Sequence, residues 1–267
     1  MIYYRKTLFG SGPKLTAVQD YRSYGIDQSH GLPALQIELG TVLPNHFYVG
    51  MFNSNVTSGA GFPGGSLETD LFVGWFHEVN DYHINAGVYG TIYPGSNVQN
   101  YVSSPIYPSI TSGMVHNGDV FVAVRKGPIT IQENLTFTNF SSYKSPTGAT
   151  TAGSSYTNIT GAFPMSTWTW ANGGWSLMAH TGYQFFNHYS AGSYFDWQLG
   201  ISKQIDRTWS VNLSYIQTNA RGNCNVAATS AQPYCYAKYQ NANGTGTGSN
   251  INAGGPTAVL SITATNF

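Results

Sequence analysis

Along most of this chain apolar and polar residues alternate one for one, a period that only an extended strand can sort onto two separate faces. In 194–203, Phe195, Trp197, Leu199 and Ile201 fall on one face, and Asp196, Gln198, Gly200 and Ser202 on the other. Trp209, Val211, Leu213 and Tyr215 oppose Ser210, Asn212 and Ser214, while Tyr82, Ile84, Ala86 and Val88 oppose His83, Asn85 and Gly87. No stretch shows a helical period. The chain therefore reads as all-β.

The next constraint is what the two faces meet. Charged residues make up 8% of the 267 residues, against about 25% in a soluble domain. Aromatic residues reach 15%, and Gly, Ser, Thr and Asn stand where charges normally do. The mean hydropathy of −0.18 is too polar for a helical membrane protein, and no run of about 18 apolar residues is present. A transmembrane barrel reconciles these facts, because lipid-facing and lumen-facing residues alternate along each strand and average out. A soluble β-sandwich would alternate too, but it leaves the scarcity of charge unexplained. A formal net charge of +0 argues against a nucleic-acid partner, which calls for a basic patch.

About twelve strands of membrane-spanning length are expected near 14–23, 32–39, 45–54, 66–77, 81–92, 119–126, 128–140, 161–170, 174–186, 193–203, 207–218 and 256–267. Short turns fall near 40–45, 78–81, 126–128, 171–174 and 204–207, and mostly longer links near 24–31, 55–65, 93–118, 141–160 and 219–255, with 187–192 the short exception. Short and long connections thus alternate, as they do in an up-and-down antiparallel outer-membrane barrel with short periplasmic turns and long extracellular loops. No composition break divides the chain, so 1–267 reads as one barrel domain in a bacterial outer membrane, with lipid around it. The start, Met1-Ile-Tyr-Tyr-Arg-Lys6, has no apolar export segment, so this reading requires a signal that has been removed. The terminal Phe267 is the aromatic end expected of such barrels, though out of phase with Leu260, Ile262 and Ala264.

Several stretches resemble the TorF family of porin-like outer-membrane proteins. Asp20-Tyr21-Arg22-Ser23-Tyr24-Gly25-Ile26-Asp27-Gln28 resembles its "DYRFRGISQ" opening, and Pro33-Ala34-Leu35-Gln36 its "PALQ". Phe47-Tyr48-Val49-Gly50 with Asn53-Ser54-Asn55-Val56 is similar to "FYAG…SNV", Glu68-Thr69-Asp70-Leu71 with Gly74 to "EIDLYAGY", and Tyr93-Pro94-Gly95 to "YPG". Ser193–Lys203 resembles "SYTDWKVGVSK", whereas 100–165 matches poorly. The resemblance implies an outer-membrane porin barrel and leaves the solute undefined.

Parity assigns interior positions. Asp20 and Arg22 go inside if Leu15, Ala17 and Tyr21 face lipid. Gln36, Glu38, Glu68, Asp70, Arg125, Gln132, Asn134, Thr136, His180 and Gln184 go inside by the same rule, and Glu133 breaks it, which points to a bulge or a register error. Acids facing bases across the lumen would narrow a channel for small hydrophilic solutes or ions; the same groups could instead form ion pairs that plug and brace the barrel. Trp75, Tyr82, Trp175, Trp197, Trp209 and Tyr215 suit interfacial girdles.

Other readings stay open. His188-Tyr189-Ser190 at an extracellular rim loosely resembles the His/Ser pair of outer-membrane lipid hydrolases, without the Asn that commonly follows. The loops 93–118 and 219–255 are long enough for contacts with a second copy or a surface partner while the lumen stays closed. Cys224 and Cys235, close in sequence, would pair in an oxidising compartment or remain free thiols. His46, His77 and His83 near periplasmic turns match no compact metal motif. No cofactor is implied and no reaction is expected.

Overall fold

The structure, a computed structural model, describes residues 12–98, 113–169, 173–222, 224, 231–240 and 246–266. Its strands are β1 (Lys14–Val18), β2 (Arg22–Ser23), β3 (Ile26–Asp27), β4 (Ala34–Val42), β5 (Phe47–Asn55), β6 (Leu67–Val79), β7 (Tyr82–Ile92) and β8 (His116–Lys126). They continue as β9 (Ile129–Thr136), β10 (Ser155–Pro164), β11 (Trp175–Phe185), β12 (Tyr194–Gln204), β13 (Trp209–Thr218), β14 (Cys235–Gln240), β15 (Gly246–Asn252) and β16 (Thr257–Thr265). Twelve of them form one closed barrel in the order β1-β4-β5-β6-β7-β8-β9-β10-β11-β12-β13-β16, every neighbour antiparallel. Closure matters because an open sheet edge cannot be satisfied in hydrocarbon. It is made where β1 joins β16, with Thr16 opposite Thr263 and their hydroxyls 3.1 Å apart.

The two faces follow the sequence period. Leu35, Leu71, Ile131, Phe195, Leu199, Leu213 and Leu260 are exposed on the outside. Gln36, Asp70, Gln132, Asp196, Gln198, Ser214 and Ser261, one residue away, are buried inside. Hydrogen bonds that skip a strand fix that second set as the interior: Tyr48 of β5 donates to Asn85 of β7 at 2.8 Å, and Tyr156 of β10 donates to Asp196 of β12 at 2.7 Å.

The expected twelve-strand antiparallel barrel stands, with local corrections. β1 leaves the wall after Val18 instead of running to 23. β10 is Ser155–Pro164 rather than 161–170, and β9 stops at Thr136 rather than 140. In β10 the large apolar residues do not keep one face, since Tyr156 points inward and Ile159 and Phe163 outward. Glu133 sits in regular register, opposite Val122 and Thr157, with no bulge. It keeps the outward face of Ile131 and Leu135, where the Thr157 hydroxyl donates to its carboxylate. Phe267 and most of the loop at 93–118 lie outside the described residues.

Short connections cluster at one end, Leu43–His46, Asn80–Asp81, Gly127–Pro128 and 205–208, together with the link from Pro164 to Trp175, which is longer than the short turn expected near 171–174. The other end is a cap of long loops with a core of its own. Tyr21, Val56, Phe62, Tyr93, Val98, Val115 and Tyr143 form one buried cluster there, continuous with Val18, Phe52, Ile216 and Val259 of the wall. Each such side chain contributes about 1.5–3 kcal/mol on burial, so the cap is fixed structure. Cys224 and Cys235 are bonded, which ties Cys224 to the start of the β14–β15 hairpin.

The outward face sets a stability prediction. Leu213→Arg, placing a guanidinium mid-strand on the apolar belt, should lower the free energy of folding into lipid vesicles by about 2–4 kcal/mol. Urea titration of the vesicle-folded protein measures it, and an unchanged midpoint would mean that this face does not meet hydrocarbon.

Candidate functional site

The interior is organised around residues 19–33, which link β1 to β4. As an extracellular loop this segment would be solvated. Instead Asp20, Tyr21, Arg22, Ile26, Asp27, Gln28 and Ser29 are all buried. β2 and β3 pair Arg22 with Asp27 and Ser23 with Ile26, and Tyr24-Gly25 forms the turn with φ of 51° and 76°. Positive φ at both central residues is the hairpin turn whose twist matches the strands. Tyr24 adopts it without the relief that glycine has, a strained conformation that persists only where surroundings hold it. Gly25 is required: a Cβ there would lie 2.9 Å from the Asp196 Cβ and 2.5 Å from a Thr218 methyl.

The hairpin crosses the lumen. It leaves the wall at β1, yet the Tyr24 ring stacks on Tyr156 of β10 at 3.9 Å and its hydroxyl lies 3.0 Å from that of Tyr89 on β7. Those strands flank the side of the barrel opposite β1. Tyr194 of β12 donates to the Tyr24 carbonyl at 2.9 Å.

Two polar networks hold this arrangement. At the hairpin base, Arg22 donates through Nε to Asp20 at 2.8 Å, and its Nη2 lies 2.7 Å from Asp20 and 3.5 Å from Asp27. Its Nη1 donates to the carbonyls of Ala253 and Gly255 at 2.8 and 3.3 Å. Asp27 Oδ1 accepts from Ser29 N–H at 2.9 Å. A buried arginine is tolerable only with its donors used, and two carboxylates and two carbonyls use them. At the tip, Tyr156 donates to Asp196, and His180 Nε2 stands 3.0 Å from both the Tyr156 hydroxyl and Asp196 Oδ2. His180 Nδ1 lies 2.8 Å from the Thr160 hydroxyl. Gly182 makes room for this knot, since a Cβ there would meet the Tyr156 hydroxyl at 2.1 Å.

The other residues expected inside take the following places. Gln36 donates to Ser54 at 3.3 Å. Glu68 accepts from Tyr21 of the hairpin at 2.7 Å and from Tyr93 at 3.2 Å, and Asp70 accepts from Thr91 at 2.6 Å. Gln132 donates to Asn134 at 2.8 Å, Thr136 donates to Asp119 at 2.6 Å, and Gln184 donates to the Ser155 carbonyl at 3.1 Å. Glu38 pairs with Lys14 at 3.7 Å and, with Arg125, is only half-buried toward the short-turn mouth. Asp20 and Arg22 differ from the reading by parity: they belong to the inward hairpin and not to the wall. Tyr24, Asp27, Tyr89, Asp119, Tyr156 and Asp196 were not singled out from sequence as site residues. The signal that could have found the hairpin was the 20–28 stretch itself, whose apolar and charged residues fit neither a wall strand nor a solvated loop.

His188 is exposed, with Nδ1 3.0 Å from the Thr150 carbonyl; Ser190 starts the 3-10 turn Ser190–Gly192, and no hydrogen bond joins the two among the described residues. The His46 and His77 rings meet edge to face at 5.9 Å, while His83 contacts Glu78 at 2.7 Å. Among the described residues no group of three or more His, Cys, Asp or Glu is arranged to hold a metal ion.

Burial pushes the Asp27 carboxyl up, to about 6, with Arg22 opposing and Asp20 adding to the rise. The docked hairpin therefore binds a proton more tightly than a solvated one would, and its docking strengthens as pH falls from about 6 toward the ordinary carboxylate value. Titration of the Asp27 carboxyl by NMR should show a midpoint near 6, higher still in Arg22→Ala. A midpoint near 4 in the intact protein would show that the carboxylate is solvated.

Among solved structures the chain is similar to the KdgM porin, at 8% identity over 95% of this chain and 98% of that one, with a TM-score of 0.48. It is similar to the NanC porin at 7% identity, over 96% and 99% of the two chains, with a TM-score of 0.46. Pseudomonas aeruginosa OpdK with vanillate aligns at 8% identity over 87% of this chain and 56% of that one, with a TM-score of 0.41. No curated protein sequence matches. A family model matches residues 11–242, and the chain belongs to that family, described as a bacterial protein of unknown function (Gcw_chp).

Proposed function

We propose that this protein is a porin-like channel of the bacterial outer membrane, passing small hydrophilic solutes or ions down their gradients. The observation that carries the reading is a closed barrel whose outer face is apolar and whose inner face carries Gln36, Glu68, Asp70, Gln132, Asn134, His180 and Asp196 beside an aromatic cluster of Tyr48, Tyr89 and Phe121. A polar interior suits the passage of hydrophilic solutes, and it is shared by barrels that a loop plugs. The short turns face the periplasm and the capped end faces outward, as in other barrels of this architecture. The motif resemblance to TorF porins fits the same reading.

In this view the wall residues Gln36, Glu38, Glu68, Asp70, Arg125, Gln132, His180 and Gln184 line the path, and Asp20 and Arg22 belong to its constriction. Transport needs no bond chemistry and no cofactor. Oligomer contacts or a surface partner would engage the loop end, where 219–255 is the longest segment. A second reading has its own support: the hairpin crosses the lumen near its loop end, which suits a closed structural or partner-binding barrel.

Single-channel recording in a planar bilayer separates the two. The channel reading expects discrete conductance steps, with cation preference reduced in Glu38→Ala and Asp70→Ala, because charged rings set selectivity in pores. A folded barrel that stays silent, together with the variants, would leave the closed-barrel reading. Lipid hydrolysis that vanished in His188→Ala would contradict both.

A further inference from the structure

We infer that the Asp20–Ser29 hairpin is the gate of this channel, a preformed unit that docks Tyr24 into a socket on the far wall to close the pore and withdraws to open it. The inference rests on the channel reading above and adds how passage is controlled. Three observations carry it.

The hairpin first has an internal frame of its own, besides its bonds to Ala253, Gly255, Thr57 and Glu68. Gln28 N–H donates to the Tyr21 carbonyl at 2.8 Å, Tyr21 N–H to the Ser29 hydroxyl at 2.9 Å, and Gln28 Nε2 to the Ile26 carbonyl at 3.0 Å. Arg22 pairs with Asp20 and Asp27, both of the same segment. Arg22, Asp20 and Asp27 would thus travel together, and withdrawal would leave Glu68 of the wall with Tyr93 after losing Tyr21. His30 and Gly31, with φ of 56° and 70°, follow directly and turn the chain back toward β4.

The socket, in turn, is built without the hairpin. Tyr156 is held by Asp196 and His180, and His180 by Thr160, all wall residues of β10, β11 and β12. Tyr24 adds a stacked ring and a hydroxyl contact to a surface already ordered. Such a socket keeps its shape when vacated, which a two-state gate requires.

The tip finally meets the wall at Tyr89, Tyr156 and Tyr194, through contacts that include the Tyr24 stack on Tyr156, its hydroxyl contact with Tyr89 and the Tyr194 bond to its carbonyl. The strained φ of Tyr24 is relieved on release. Toward the cap, the hairpin leans on the Ala253 and Gly255 carbonyls, so the disulfide-tied outer loop bears on its base.

The test is single-channel recording of the intact chain, of Tyr24→Phe, of Gly25→Ala, and of a variant with 20–29 replaced by a short Gly/Ser linker. Tyr24→Phe removes one hydrogen bond, and Gly25→Ala puts a methyl where Asp196 and Thr218 leave no room. A gate predicts that both shorten closed dwells, Tyr24→Phe by roughly 2- to 10-fold, while the open-state conductance stays that of the intact chain. The linker variant should stay open. A changed conductance level with unchanged dwells would make the hairpin a fixed constriction and overturn the gate. So would recordings of the intact chain that none of the changes alters. Silence of every chain, the linker variant included, would instead overturn the channel reading itself.

Discussion

Everything in this molecule depends on a strand having its two faces in different media. With a side-chain period of two, one residue meets the outer medium and the next meets the lumen. A one-residue slip would put Asp70 and Gln132 outside and Leu71 and Ile131 inside. The register is therefore fixed by the cost of misplacing polar groups, strand by strand around the barrel. Glu133 is an exception that shows the rule: it keeps register, stays outward, and draws Thr157 to its carboxylate.

The interior poses the opposite problem. A twelve-strand lumen lies between barrels that side chains fill and barrels that hold an open water channel. Here the first long loop occupies the gap. Its arginine is what makes that location affordable, because Asp20, Asp27 and two backbone carbonyls use the guanidinium donors before the segment enters the barrel. The aromatic tip then completes a wall network that Asp196 and His180 have already oriented. The same economy of charge explains the composition: few ionisable groups are present, and many of the acids lie inside.

The barrel was legible because alternation is local. Phe195 through Ile201, or Trp209 through Tyr215, declare their faces within a single strand, and the alternation of short and long connections orders the strands. Ser155–Pro164 is hard to read because its large apolar residues split between faces, Tyr156 inward and Ile159 and Phe163 outward. The hairpin was hidden for a different reason. Asp20 and Arg22 were assigned inward by extending β1 to 23, giving the right side of the wall through the wrong element. What sends the chain inward is tertiary: Tyr24 finds Tyr89 and Tyr156, from strands 65 and 132 residues further along, and no local pattern encodes that meeting. Asp196 stood in plain view as the polar partner of Phe195, but its role needs His180 and Tyr156 beside it.

Amide hydrogen exchange of the protein in lipid nanodiscs tests the central claim most directly, that residues 20–29 sit inside the barrel as an ordered hairpin. The account predicts that the amides of Tyr21, Asp27 and Gln28, which donate to Ser29, Ala253 and Tyr21, exchange far more slowly than those of the exposed loop tips. Exchange of these three amides at the rate of an unstructured loop would contradict it.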